Sequence, residues 1–288
     1  MPSTCHLFSY FTNNGEDGLH LAWSPDGYEW KALNEGRSLL KPLPEGKGIM
    51  RDPCLMSGPD GLFRLVWTDG WMGRTIGYAT SRDLVTWSEP RHLPVMEHEP
   101  TCLNSWAPEI FYDAARGHYI LIWSSTIPGR FAGIEDPEEN GYNHRLYATT
   151  TIDFQTFTPT TLFFDPGFNV IDATILPAQG RFYLIYKDER RIPEVKKNLL
   201  MAVSDKMEGP YAPFCGPITE SWAEGPTVAK LGEDYVVYFD CYTRGRYGAV
   251  RSKDLKTWED VSDKLSMPEG ARHGFVLEVE EKVIGGLR

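Results

Sequence analysis

One strand-and-turn pattern occurs five times along this chain, and that repetition constrains the fold more than any other feature. The copies are Leu21-Ala-Trp-Ser-Pro-Asp-Gly-Tyr-Glu-Trp30, Tyr78-Ala-Thr-Ser-Arg-Asp-Leu-Val-Thr-Trp87, Tyr147-Ala-Thr-Thr-Thr-Ile-Asp-Phe-Gln-Thr-Phe157, Met201-Ala-Val-Ser-Asp-Lys-Met-Glu-Gly-Pro-Tyr211 and Gly248-Ala-Val-Arg-Ser-Lys-Asp-Leu-Lys-Thr-Trp258. Each has a small alanine in a strand-like run, then a polar turn, then an aromatic residue eight or nine positions after the alanine. The alanines Ala22, Ala79, Ala148, Ala202 and Ala249 are separated by 57, 69, 54 and 47 residues. Apolar residues seldom recur at helical spacing, whereas short alternating runs bounded by Gly, Pro, Asp and Asn recur throughout.

Ahead of four copies runs an apolar strand, at Leu62–Thr68, Tyr119–Ser125, Phe182–Asp188 and Tyr235–Cys241. Ahead of each of those, a further short strand begins near Arg51, Trp106, Ile171 and Ala223. Four strands repeating at intervals of this size predict a propeller blade, a unit that cannot bury both its faces alone and must stack on its neighbours. The N-terminal copy has a second strand, His6–Phe11, but no inner strand before it, while Arg272–Val279 has strand composition and no blade of its own. The expected fold is therefore all-β, a five-bladed β-propeller closed by pairing of the C-terminal strand with the N-terminal blade, which removes the open sheet edges. No Ser/Pro/Gly-rich linker divides the chain, so residues 1–288 are expected to form a single domain rather than two unrelated β domains.

Composition narrows the partners. Lys and Arg number 29 against 40 Asp and Glu, a net charge of 29 − 40 = −11, and no basic run is present, so nucleic acid is not an expected partner and a neutral or cationic small molecule suits the chain better. No stretch approaches the roughly 18 consecutive apolar residues of a membrane-spanning helix, and the first residues lack a signal-peptide pattern, so no membrane partner is expected. Compartment and oligomeric state stay open at this stage. The five cysteines are odd in number, scattered and without a C-x-x-C pair, which reads as small buried hydrophobes rather than a disulfide framework or a structural zinc site.

In a propeller the inner strands run along the central channel, so residues at their starts converge on one opening. Aligning Arg51-Asp-Pro, Trp106-Ala-Pro-Glu, Ile171-Asp-Ala-Thr, Ala223-Glu-Gly-Pro and Arg272-His-Gly puts Asp52, Ala107, Asp172, Glu224 and His273 in equivalent positions. An ionised group in such a strand is costly unless it is hydrogen-bonded or used, so the three carboxylates are the candidate catalytic residues. A metal cage built from the same carboxylates is the competing use. Loops on the same face are expected to be Asp69–Thr75, Ser125–Arg145, Asp188–Asn198 and Tyr242–Tyr247, with the entry loop Leu93–Ser105. They carry Trp71, His98, Arg130 and Arg244 as candidate substrate contacts, His98 being equally readable as a loop hydrogen-bonding residue. Trp106, beside the channel, is expected either to stack on the apolar face of a sugar ring or to pack within its blade.

Arg51-Asp52-Pro53, Trp106-Ala107-Pro108, Val170-Ile171-Asp172 and Glu224-Gly225-Pro226, one per blade and in this order, resemble the motifs of glycoside hydrolase family 43. This family comprises five-bladed propeller enzymes that include arabinofuranosidases, arabinanases and xylosidases. The resemblance spans essentially the whole chain. It implies a carbohydrate substrate, with Asp52 as general base, Glu224 as general acid and Asp172 as the third carboxylate that orients the acid and raises its pKa. It also implies inversion at the anomeric carbon, with the two working carboxyl groups about 6.5–9.5 Å apart. No cofactor is required for that chemistry. A structural calcium in the channel is one use the resemblance implies for His273, and a hydrogen bond to a carboxylate is the other. One departure is the third motif, Asp172-Ala-Thr in place of Asp-Pro. The expected activity is exo-acting release of terminal arabinofuranosyl or xylosyl residues from plant-type poly- or oligosaccharides, the long Ser125–Arg145 loop favouring a closed pocket. The rivals are a non-catalytic carbohydrate-binding propeller and a retaining hydrolase of the fructosidase type, whose Asn-Asp-Pro-Asn-Gly start and Glu-Cys motif are absent here.

Overall fold

The second strand of each repeat is apolar without interruption because both of its faces are covered. In β9 (His118–Ser125), Ile120 and Ile122 pack toward one neighbouring sheet while Leu121 and Trp123 pack toward the other. Alternation of side chains across a strand then forces sheets onto both sides, and five of them close a ring. The computed structural model describes residues 3–43, 48–131 and 141–288, so part of the expected Ser125–Arg145 loop, residues 132–140, lies outside the described residues.

Five four-stranded antiparallel sheets are present. Blade I consists of β20 (Ala271–Glu280), β1 (Thr4–Thr12), β2 (His20–Ser24) and β3 (Lys31–Ala32). Blade II runs β4 (Arg51–Ser57), β5 (Phe63–Thr68), β6 (Ile76–Ser81) and β7 (Arg91–Leu93), and blade III runs β8 (Trp106–Asp113), β9, β10 (Arg145–Thr151) and β11 (Thr161–Phe164). Blade IV is β12 (Val170–Ala178), β13 (Arg181–Asp188), β14 (Asn198–Ser204) and β15 (Ala212–Cys215), and blade V is β16 (Glu224–Leu231), β17 (Asp234–Cys241), β18 (Arg246–Ser252) and β19 (Glu259–Asp260). The inner strands touch in the cyclic order β20, β4, β8, β12, β16 and back to β20. Strand β20 supplies the inner strand of the blade that the N-terminal segment begins, with Thr4 opposite Glu280 and Thr12 opposite Ala271.

The core is divided into five apolar clusters, one in each seam between adjacent blades. Leu7, Leu21, Leu65 and Trp67 fill the I–II seam, and Val66, Tyr78, Leu121 and Trp123 the II–III seam. Ile122, Ile175 and Leu184 fill the III–IV seam, Ile185, Met201 and Val237 the IV–V seam, and Val236, Tyr238, Phe8 and Trp30 the V–I seam. Each fully buried Leu, Ile or Phe contributes roughly 1.5–3 kcal/mol relative to exposure, so the seams carry most of the stability. All five repeat alanines are buried in these seams. The five cysteines are free, four of them buried and Cys215 half-buried.

The polar turn of the repeat has a definite hydrogen-bond pattern. In four copies a Ser or Thr hydroxyl accepts the N–H three residues on: Ser24 from Gly27, Ser81 from Leu84, Thr151 from Phe154 and Ser252 from Leu255, at 2.8–2.9 Å. An aspartate two residues after that hydroxyl accepts the next two N–H groups, as Asp254 does from Lys256 and Thr257 at 2.8 Å each. These bonds hold the residue that follows the aspartate at positive φ, +79° at Gly27, +63° at Leu84, +57° at Phe154 and +62° at Leu255. Among the described residues no helix is long and apolar enough to cross a membrane.

Candidate active site

The ring of candidate residues is built by a kink repeated at the head of the inner strands. In blades II to V the strand pairing slips just past Arg51, Trp106, Ile171 and Glu224. The next residue adopts left-handed φ: +53° at Asp52, +47° at Ala107, +51° at Asp172 and +57° at Gly225. Such bulges re-aim side chains, here out of the sheet and into the channel mouth. They also correct the sequence alignment: Gly225, not Glu224, is the equivalent of Asp52 and Asp172, and Glu224 stands one residue earlier, level with Arg51 and Ile171. The slip arises because blade V places glycine at the left-handed position. A Cβ on Gly225 would lie 2.3 Å from Cγ of His273, so only glycine leaves room for that ring.

The four groups nevertheless meet, each from a different blade. His273 Nδ1 lies 3.1 Å from Asp52 Oδ1 and 3.8 Å from Asp172 Oδ2. Asp52 Oδ2 accepts the Thr68 hydroxyl at 2.7 Å, and the same Thr68 oxygen accepts the Ala107 N–H at 2.8 Å, which ties blade II to blade III. The Gly225 N–H donates to Asp172 Oδ2 at 3.1 Å, which ties blade V to blade IV. Glu224 accepts Lys187 Nζ on Oε2 at 3.0 Å and faces Arg272 Nη2 from Oε1 at 3.5 Å.

Burial and pairing drive the charges apart. Burial opposes ionisation of Asp52, but His273, followed by Arg51 and Thr68, outweighs it and lowers that carboxyl to about 2. Burial likewise opposes charge on His273, yet Asp52 and Asp172 hold the imidazolium up to about 9. Asp172 goes the other way: burial, reinforced by the Glu224 and Asp52 carboxylates against the pull of His273 and Lys187, raises it to about 7. The site thus contains one carboxylate, Asp52, held firmly ionised and a neighbouring carboxyl, Asp172, that keeps its proton to near neutrality.

Sequence reasoning passed over several groups here. Lys187, next to last in the strand run Phe182–Asp188, is buried and pairs with Glu189 at 2.8 Å as well as with Glu224. Asp240 accepts Arg272 Nε at 2.5 Å. Glu109, two residues beyond Ala107, is buried in β8, and burial raises its carboxyl to about 8. A lone charged residue in a strand buried on both faces was the available signal, the one that picked out the three carboxylates.

The candidate substrate contacts divide into two groups. Trp71 and Trp106 come together at the mouth, the Trp106 indole donating to the Trp71 carbonyl at 3.1 Å, with ring centroids 5.8 Å apart. Tyr142 extends this wall, 4.9 Å from Trp106, and the Arg51 guanidinium lies 4.5 Å from the Trp71 ring. His98, by contrast, is exposed in a depression shared with Leu93, Phe157, Thr158 and Thr160, on the outer strands of blades II and III and the turn leading to them. Arg130 pairs with Glu99 at 2.7 Å and Arg244 with Glu220 at 3.1 Å, within outer loops rather than at the strand heads.

His273 directs Nδ1 to Asp52, so any ligation of a cation would fall to Nε2. Among the described residues, the one group of three acid or histidine ligand atoms close enough to share a cation is Asp113, His118 and Glu208. There the Arg116 guanidinium already bridges Asp113 at 2.7 Å and Glu208 at 3.1 Å. No step of the chemistry below passes through a metal.

The chain matches the family described as "Probable glycosyl hydrolase domain", related to glycoside hydrolase family 43, over residues 2–284. It is 25% identical over 186 residues to an α-L-arabinofuranosidase of Bifidobacterium longum subsp. longum, an alignment that takes in 57% of this chain and 17% of that much longer protein. Its fold is similar to that of an α-L-arabinofuranosidase from Lactobacillus brevis, with TM-score 0.55, 17% identity and coverage of 74% of this chain and 72% of that one. A thermostable family-43 glycoside hydrolase superposes with TM-score 0.56, 18% identity and coverage of 77% and 75%. An exo-β-1,3-galactanase from Clostridium thermocellum gives TM-score 0.54, 16% identity and coverage of 73% and 47%.

Proposed function

The chain belongs to the glycosyl hydrolases related to family 43, and from that premise we propose that it is an inverting, exo-acting hydrolase of terminal arabinofuranosyl or xylosyl residues. The observation that carries the reading is the gathering of Asp52, Asp172, Glu224 and His273 from four blades at one opening, with Asp52 held ionised by His273 and Thr68. In this scheme Asp52 is the general base. It takes a proton from a water whose oxygen attacks the anomeric carbon. Glu224 is the general acid and donates its proton to the glycosidic oxygen as the bond to that oxygen breaks. Asp172 orients the strand head of blade V through the Gly225 N–H, and its charge, which develops toward pH 7, favours the protonated form of the acid. Water attack from the face opposite the leaving group yields the inverted hemiacetal.

Trp71, Trp106 and Tyr142 form the wall against which the apolar face of a sugar ring stacks, each offering a large surface at low entropic cost. The preference for a pentose follows the arabinofuranosidase relatives, and the galactanase neighbour makes galactosides the alternative. A panel of 4-nitrophenyl arabinofuranosides, xylosides and galactosides, followed by natural oligosaccharides, tests the substrate, and release of monosaccharide only from chain ends tests exo action. NMR of the first-formed anomer tests the stereochemistry: a retained product rules out the base-and-water scheme. Replacing Glu224 by Gln is expected to lower hydrolysis of poor-leaving-group glycosides about 10²–10⁴-fold while activated aryl glycosides lose far less. Carbohydrate binding with no turnover of any panel member would leave a binding propeller.

A further inference from the structure

A carboxyl that donates a proton has two oxygens, and only one can carry the hydrogen toward the leaving group. At Glu224 the surroundings of the two oxygens differ sharply. Oε2 accepts the Lys187 ammonium at 3.0 Å. That ammonium is fixed on three sides: it pairs with Glu189 Oε2 at 2.8 Å, sits 4.6 Å from the Tyr242 ring centroid and lies on a side chain with almost no exposure. Glu189 is in turn held on its other oxygen by Lys197, so the string Lys197, Glu189, Lys187, Glu224 alternates in sign through the wall of the mouth. Among the described residues Oε1 meets only Arg272 Nη2, at 3.5 Å, too long for a strong bond, and Arg272 is committed through Nε to Asp240 at 2.5 Å.

We propose that Lys187 is a positioning residue, anchoring Oε2 of Glu224 so that Oε1 is the oxygen that bears the proton and delivers it to the leaving group. The inference rests on the reading of Glu224 as the general acid. An ammonium has donors and no acceptor, and in a protonated carboxyl the carbonyl oxygen accepts better than the hydroxyl oxygen. While Lys187 donates to Oε2, that oxygen is therefore favoured as the carbonyl and Oε1 as the O–H. The arrangement also fixes the carboxyl plane, which a freely rotating glutamate would have to find at each turnover.

The charged and titratable groups that face Glu224 come from every neighbouring element: Asp172 on β12, Lys187 on β13, Asp240 on β17, Tyr242 just after it, Tyr247 on β18, and Arg272 and His273 on β20. Removing Lys187 subtracts one cation from this set and leaves Glu189 still paired with Lys197.

The experiment compares wild type, K187M, K187Q, K187R and E224Q on 2,4-dinitrophenyl and phenyl glycosides of the sugar the wild type turns over, with thermal denaturation as the check on folding. K187M and K187Q are expected to lose about tenfold or more in kcat on the phenyl glycoside and under threefold on the dinitrophenyl glycoside, with KM little changed. The alkaline limb of the pH profile should move up, since a neighbouring cation has been removed. K187R should recover part of the loss. Equal slowing on both leaving groups with an unmoved alkaline limb overturns the proposal. If E224Q itself fails to discriminate between leaving groups, it is the reading of Glu224 as the acid that fails. A crystal structure of K187M then judges the anchor alone: a Glu224 carboxyl turned away from its present position supports it, and an unchanged carboxyl overturns it.

Discussion

A methyl group at position 225 would sit 2.3 Å from Cγ of His273, closer than any real contact allows, in a backbone held at φ +57°. The left-handed backbone alone does not demand glycine, because Asp52, Ala107 and Asp172 adopt the same conformation with side chains. The clash does. G225A is expected to cost more than the ~1–3 kcal/mol of a strained left-handed residue and to weaken the His273–Asp52 pair, measured by urea unfolding and by loss of turnover. Linkage at this scale gives the pH dependence. His273, raised from 6.5 to about 9, contributes stability that is complete below 6.5 and is lost as pH rises through 9. Asp172 and Glu109, raised from 3.8 to about 7 and from 4.5 to about 8, act in the same direction, each contribution complete below its unfolded value and lost on the way up to its folded one. Asp52, lowered from 3.8 to about 2, contributes stability that is present above 3.8 and lost as pH falls through 2. On these groups unfolding midpoints should be highest near pH 4 and decline toward pH 9, and E109Q should flatten that decline. An unchanged slope in E109Q would show that this carboxyl is not the cause. The four ring residues were legible in the sequence because a charge in an apolar run is conspicuous. Lys187 and Glu109 were equally conspicuous and were missed because attention went to strand starts, whereas their partners come from other blades.

Among the elements, the turns between third and fourth strands are the most uniform part of the fold. A hydroxyl and an aspartate two residues apart satisfy three successive N–H groups, as in Ser252 and Asp254 with Leu255, Lys256 and Thr257. D254A should lower stability, as loss of a helix N-cap does, read from the shift in denaturant midpoint. Blade IV departs from the pattern: Ser204 is followed by Asp205 and Lys206, and its hydroxyl accepts the Lys206 N–H at 3.1 Å. The strands themselves were legible to within a residue or two, since β5, β9, β13 and β17 are apolar on both faces. The bulges at the inner-strand heads were not, because a one-residue slip leaves no mark in composition, and that is how Glu224 came to be aligned with Asp52 in place of Gly225.

For the molecule as a whole, β20 has two duties, completing blade I and bringing His273 to the mouth. Removing residues 271–288 should leave an aggregating chain that binds apolar dyes and lacks activity, and a synthetic peptide of that segment added in trans should restore a measurable fraction of both. Intact folding of the shortened chain, judged by near-UV circular dichroism, would contradict this role for the closure. Ring closure itself was legible from a missing inner strand at one end and a surplus strand at the other. The position of His98 was not: it lies beside residues of the outer strands of blades II and III, and strand order alone does not fix where a loop side chain ends up.

Because the reacting groups ride on separate sheets, no continuous backbone ladder fixes the gaps among them. Apart from the Thr68–Ala107, Gly225–Asp172 and His273–Asp52 contacts at the mouth, their spacing rests on greasy joints such as Ile122 against Ile175 and Val237 against Ile185. Gentle heating loosens such joints before it parts any ladder, so hydrolysis should fade at temperatures where the far-ultraviolet spectrum is still that of the intact protein, and a bulkier or smaller side chain deep in a joint should detune the chemistry from a distance.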